Sequence, residues 1–111
     1  MAAITPSTVT TAGLLAASAA VSASDTISGD LVPVGGLLYR VINAGGSPDS
    51  VTVSDGGTTP AGNPGTVTAV VVTNATTKTI LITQNNINRS TNLVTVAHSF
   101  ITSVTYEIQR V

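Results

Sequence analysis

The sequence predicts an all-β fold, an antiparallel β-sandwich or jelly roll of seven or eight short strands. Short segments alternate apolar and polar residues at roughly ten-residue spacing, and Gly, Pro, Asn and Asp separate them. Thr is the most abundant residue, and its β-branched side chain suits the exposed face of a strand. Beyond the first two dozen or so residues, no segment has convincing helical periodicity.

Length and composition limit the classes of function. The 111 residues are enough for one domain, whose core must come from Val, Ile and Leu because the chain has no Trp, one Phe and two Tyr. Charged residues make up 8% of the chain and the net charge is −1, so there is no basic patch for nucleic acid. With no Cys and one His, disulfides, thiolate metal sites and His clusters are excluded. We expect no cofactor, no metal centre and no nucleic-acid partner.

Residues 1–24 are predicted to form an extended arm, and residues 25–111 the sandwich domain. The arm is rich in Ala, Thr and Ser, and a short helix over residues 14–21 is the structural alternative. Residues 13–23 also resemble the apolar part of a signal peptide, although no Lys or Arg precedes them. This apolar run is too short to span a bilayer, so we expect no membrane partner.

The alternation places individual strands within residues 25–111. Residues 37–43 are apolar on both faces, which predicts a central strand buried on each side, with Arg40 near an exposed end or paired. A Gly-Gly-Ser-Pro turn joins this strand to residues 50–55, and the pattern predicts a hairpin. Pro33 places a short strand over residues 31–34 at a sheet edge. Further strands are predicted at residues 66–73, 79–83, 93–98 and 102–111.

The polar residues give weak evidence of chemistry. No Gly-x-Ser-x-Gly motif surrounds any Ser, so we expect no enzyme, and His98 is interpreted as an ordinary polar residue at a strand end. Asp49 and Asp55 flank a strand and could share a cation such as calcium, but Asp beside Gly and Pro is more typical of turns.

Assembly is the function that the residues favour. A sandwich has exposed edges that pair with other chains unless they are blocked, and an uncharged arm is suited to adding a strand to a neighbour. Residues 56–65 contain four Gly and two Pro, so they form a loop that we expect to contact partners. The candidate contacts on the arm and this loop are Ile4, Pro6, Val9, Leu14, Leu15, Thr58, Pro60, Asn63 and Pro64.

The order of features resembles a family of small virion proteins of tailed bacteriophages, the capsid decoration (cement) or minor head proteins. The matching elements, in chain order, are the Ile4-Thr5-Pro6 arm, the Ser28-Gly29-Asp30 turn, LLYRVIN followed by Ala44-Gly45-Gly46-Ser47, Val51-Thr52-Val53, Val94-Thr95-Val96, Thr102-Ser103-Val104-Thr105 and Arg110. Together they extend over most of the chain, and their order and spacing carry the resemblance.

The resemblance implies a structural protein on the outer surface of a phage capsid. Its partners would be the major capsid protein and further copies of itself, as homotrimers on threefold or quasi-threefold axes, and it would reinforce the shell against the pressure of packaged DNA. Two alternatives stay open at this stage. One is a head–tail connector or tail-associated virion protein, and the other is a secreted β-sandwich adhesin or carbohydrate-binding module.

Overall fold

The computed structural model describes residues 2–8, 18–54, 69–88 and 91–110, and it confirms the all-β fold. Seven strands of three to seven residues and three two-residue strands lie in two sheets. The strands are β1 (Ala2–Ala3), β2 (Ser7–Thr8), β3 (Ala19–Ala20), β4 (Ser24–Ser28), β5 (Leu37–Asn43), β6 (Asp49–Val53), β7 (Val70–Val72), β8 (Thr76–Ile82), β9 (Leu93–His98) and β10 (Val104–Arg110). No helix in these residues is long and apolar enough to cross a membrane.

The two sheets differ in strand order. The first sheet has the order β1-β4-β9-β6-β7. The second sheet has β10-β5-β8 at its centre, and both β2 and β3 pair with β10 on the edge opposite β5. The longer strands pair antiparallel, whereas the short β1 and β2 run parallel to β4 and β10. The sandwich is therefore supported, and the jelly roll is not confirmed.

The core between the sheets follows the predicted alternation. Val94 and Val96 on β9 face Tyr39 and other inward residues of the second sheet, and all three are fully buried. Each buried aliphatic side chain stabilises the fold by about 1.5–3 kcal/mol, so many small contributions replace a few large aromatic ones. The buried apolar residues are Ile4, Val21, Ile27, Val32, Leu37, Tyr39, Val41, Val51, Val72, Ile82, Val94, Val96, Val104 and Ile108.

The predicted hairpin between β5 and β6 is wrong, because these two strands lie in different sheets. The turn between them carries the chain from one sheet to the other. Asn43 organises it by donating to the carbonyl oxygens of Ser47 at 2.9 Å and Val72 at 3.0 Å. A Cβ on Gly45 would come within 2.4 Å of the Thr102 carbonyl oxygen, so only glycine fits there.

The expectation that β5 is buried on both faces is also wrong. Tyr39 and Val41 point into the core, but Leu38 and Arg40 lie on an exposed face. The expectation that Arg40 is paired is confirmed by its contact with Glu107. A strand between two antiparallel neighbours is central within its sheet and still exposes one side when no further layer covers it.

Residues 31–34 do not form the predicted edge strand. The chain makes a 3₁₀ turn at Gly29–Leu31, and the Ser28 hydroxyl accepts a hydrogen bond from the Asp30 N–H at 3.4 Å. Pro33 has no N–H to donate to a ladder, and its carbonyl oxygen instead accepts from the Gly36 N–H at 3.0 Å. The segment therefore reverses direction just before β5.

The described parts of residues 1–24 are integrated into the sandwich. Ile4 is 3% exposed and Val21 is 6% exposed, and both belong to the core. The Ile4 N–H donates to the Thr26 carbonyl oxygen at 2.8 Å, which continues the pairing of β1 with β4. Ala19–Ala20 form β3, so the alternative helix over residues 14–21 does not include them. The described parts of this segment therefore pack against the rest of the fold, and the division of the chain at residue 24 stays a prediction.

Candidate functional site

A chain of three polar side chains crosses the core between the sheets. The Asp49 carboxylate contacts His98 Nδ1 at 2.6 Å, and His98 Nε2 contacts the Tyr39 hydroxyl at 2.8 Å. Asp49 begins β6, His98 ends β9 and Tyr39 lies on β5, so the network joins both sheets. The side chains of Asp49 and His98 have no exposed surface. The sequence analysis did not find this cluster, because the three residues lie on separate strands and are far apart in the sequence.

The direction of the hydrogen bonds follows from the remaining partners. The other Asp49 oxygen accepts the backbone N–H groups of Ser99 at 3.0 Å and Phe100 at 3.2 Å. We assign His98 as donating from Nδ1 to the carboxylate and accepting the Tyr39 O–H at Nε2. Burial raises the pKa of Tyr39 well above its usual value, helped by the negative charge of Asp25, by Tyr106 and by Asp49, so the phenol stays protonated and donates.

The buried network of Asp49, His98 and Tyr39 connects the two sheets and has no open hydroxyl group. An Asp–His pair next to a hydroxyl has the components of a nucleophilic triad, but a triad needs its hydroxyl open to a substrate. Tyr39 is fully buried, and its ring stacks on that of Tyr106 with the ring centroids 5.6 Å apart. The predicted position of His98 at a strand end is confirmed, but its interpretation as an ordinary polar residue is wrong, because it connects the two sheets. Asp49 is also turned inward, toward His98.

The structure describes no metal site. Within residues 2–8, 18–54, 69–88 and 91–110, no three His, Cys, Asp or Glu residues come together in a way that could hold a metal ion. Asp55, the second residue of the suggested cation pair, lies outside the described residues.

The outer face of the second sheet is the other notable surface. Leu38 on β5 lies directly opposite Leu81 on β8, and these side chains are 39% and 54% exposed. On the same face, Arg40 lies opposite Glu107 of β10, and their charged groups are 3.7 Å apart. On β5, β8 and β10, the remaining residues of this face are Ile42, Thr77, Thr79, Thr105 and Gln109. The face consists mainly of Thr and aliphatic side chains and has one ion pair.

The structure describes two of the nine predicted contact residues, Ile4 and Pro6. Both are buried in the fold of their own chain, and their role as contacts stays a prediction. Val9, Leu14, Leu15, Thr58, Pro60, Asn63 and Pro64 lie outside the described residues, so their role stays a prediction. Sequence reasoning missed Leu38, because the apolar residues on both faces of residues 37–43 were interpreted as burial, and it did not single out Leu81.

Comparisons with known proteins add no assignment. No protein-family model matches this chain, no curated protein matches it, and no solved structure matches it.

Proposed function

We propose that this protein is a structural virion protein that binds the outside of a tailed-phage capsid lattice and reinforces it. Its partners are the major capsid protein and further copies of itself, as a homotrimer. The order of sequence features that resembles the decoration proteins supports this proposal. The observation that carries it is the outer face of the second sheet, which exposes Leu38 and Leu81 and has a single ion pair, in a chain with 8% charged residues.

A surface of this kind suits attachment to a repeating lattice. Leu38 and Leu81 supply apolar area, and the surrounding Thr residues supply hydroxyl groups that bond to a partner or to water. Burying one such leucine side chain contributes about 1.5–3 kcal/mol. Each contact is modest, but a symmetric shell repeats it many times, and bound copies stabilise the assembled lattice by mass action.

The test is binding of the purified protein to phage heads that lack it, measured by co-sedimentation. We expect saturable binding at many sites spread over the shell, visible as added density in electron micrographs. Density confined to one vertex or to the tail would instead support the connector alternative. Absence of any binding would contradict the proposed function.

A matched pair of variants tests the proposed face. Leu38→Asp places a charge on the outer face of the second sheet and should weaken binding roughly ten- to hundredfold, the equivalent of one buried leucine. Val71→Asp places the same charge at a similarly exposed valine, 44% exposed, whose neighbour across the first sheet is Ser50. It should bind like the unaltered protein. Equal binding by both variants would show that another surface makes the contact; circular dichroism checks that each is folded.

A further inference from the structure

The edges of the two sheets differ greatly in length. The first sheet ends in β1, with two residues, and β7, with three. One side of the second sheet ends in the two-residue strands β2 and β3. The opposite side ends in β8, which has seven residues and, among the described residues, pairs only with β5 and only along one edge. Short edge strands are a common way to prevent unwanted pairing, and β8 lacks this protection.

Among the described residues, β8 has few of the other features that block an edge. Its sequence, TTKTILI, contains no Pro and a single charged residue, Lys78, and it pairs with β5 in unbroken register over all seven residues. Most of its side chains are exposed, including Leu81. A long, regular edge with free backbone N–H and C=O groups and apolar side chains is suited to receiving another strand.

We infer that β8 pairs with β8 of a second copy of this chain, in antiparallel orientation about a twofold axis at Thr79. This register pairs all seven residues. On the outer face Thr79 lies opposite Thr79 of the second copy, and Thr77 lies opposite Leu81. On the inner side Lys78 lies opposite Ile80, so the two lysines do not meet. The strand is thus complementary to itself, as a twofold interface requires.

Other registers of the β8–β8 pairing are less favourable, because they pair fewer residues or bring like charges together. Centring the axis on Lys78 places two like charges directly opposite each other, which is destabilising, and pairs only five residues. Centring it on Ile80 also pairs five residues. A shift of one residue would place outer-face side chains opposite inner-face ones, which the pleat does not allow in a continuous sheet.

The pairing would join the second sheets of two copies into one continuous sheet. It is a twofold contact, so it is separate from the threefold association in the proposed function and does not depend on it. On a capsid lattice it would link neighbouring trimers. In solution it makes a dimer, which can be measured without any capsid.

Single-cysteine cross-linking tests the register, because the chain has no cysteine of its own. Thr79→Cys places two cysteines opposite each other with Cα atoms about 4.5–5.5 Å apart, within the range of a disulfide. Thr77→Cys, on the same exposed face, places its two copies about 13–14 Å apart along the strand. Under mild oxidation, Thr79→Cys should run as a disulfide-linked dimer on a non-reducing gel, and Thr77→Cys should stay monomeric.

Sedimentation equilibrium tests the contact without covalent bonds. The unaltered protein should show a concentration-dependent association that contains a dimer. Thr79→Lys brings two lysines face to face across the axis and should weaken this dimer about tenfold, whereas Thr77→Lys, with its lysine opposite Leu81, should weaken it clearly less. Equal cross-linking of the two cysteine variants, or equal dimerisation of the two lysine variants, would overturn the inference. A monomer at every concentration would do the same.

Discussion

Tyr39 and Arg40 are neighbours on β5, yet they make polar contacts of very different kinds. Tyr39 points into the core, where its hydroxyl joins the buried His98–Asp49 pair. Arg40 points outward, with 54% of its side chain exposed, and its guanidinium lies 3.7 Å from the Glu107 carboxylate. The inner contact between His98 and Asp49 is short and has no exposed surface, whereas the outer contact is longer and partly exposed, mainly on its Arg40 side.

Both contacts join polar side chains, but their burial determines how much each one contributes to the stability of the fold. An exposed ion pair gains little, because water and salt screen it and its flexible side chains must be ordered. A buried pair has lost its hydration, so removing one member leaves the other without a partner inside the protein. We therefore expect the inner contacts to dominate stability, although both sides of β5 carry polar groups.

The largest effect should follow from Asp49→Ala. The change leaves His98 Nδ1 and the backbone N–H groups of Ser99 and Phe100 without their acceptor. Each buried donor left without an acceptor costs about 1–3 kcal/mol, so the loss of all three contacts should cost about 3 kcal/mol or more. Urea unfolding followed by circular dichroism measures it. Asp30→Ala removes an exposed carboxylate and should change the free energy of unfolding by less than about 1 kcal/mol. Similar losses for both variants would refute the contrast.

An intermediate effect should appear at alkaline pH. Burial raises the pKa of Tyr39 in the folded state above the ordinary value of 10.0, so from about pH 10 the unfolded chain releases this proton while the folded chain keeps it. The contribution of Tyr39 to the free energy of unfolding is therefore fully present below about pH 10 and decreases as the pH rises above that value. Tyr39→Phe should flatten this decline, measured as the free energy of unfolding against pH.

Tyr106→Phe is the matched control for the alkaline experiment, since the chain has two tyrosines. Burial also raises the pKa of Tyr106, but this ring is only partly buried, so its removal should flatten the decline less. A steeper dependence on Tyr106 than on Tyr39 would contradict the assigned network.

The smallest effect should follow from Glu107→Gln, which removes the negative charge of the outer ion pair. The charged groups are 3.7 Å apart and the Arg40 side chain is 54% exposed, so we expect the pair to contribute less than about 1 kcal/mol and to weaken in high salt. Urea unfolding of the variant and the unaltered protein, in low and in high salt, measures the contribution of the pair and its salt dependence. A loss above 2 kcal/mol would mean that the outer pair is far less exposed than the structure indicates.

The sequence predicted the strands better than their arrangement. The strands predicted at residues 93–98 and 102–111 correspond to β9 (Leu93–His98) and β10 (Val104–Arg110), because period-two alternation is a local signal. Which sheet a strand joins is not local. β5 and β6 are joined by a turn typical of a hairpin, but the Asn43 side chain holds that turn between the sheets by bonding to Val72, 29 residues away.

The candidate sites were harder to predict, for the same reason. His98 and Asp49 are 49 residues apart, and nothing near either residue indicates the other. Leu38 and Leu81 could not be recognised as exposed, because the residue type alone does not show whether a leucine lies on an outer face or in the core. The burial of Ile4 in the core beside β4 was not predicted either, because its hydrogen bond to Thr26 joins residues 22 positions apart.

The parallel pairing of β1 with β4 and of β2 with β10 has a mechanical consequence. Strands that run in the same direction are pulled along each other when tension acts between residue 2 and residue 110. Their hydrogen bonds then carry the load together in shear, whereas an antiparallel hairpin pulled at its open end breaks them one after another. These very short strands would thus resist stretching between the two ends of the described chain more than their length suggests.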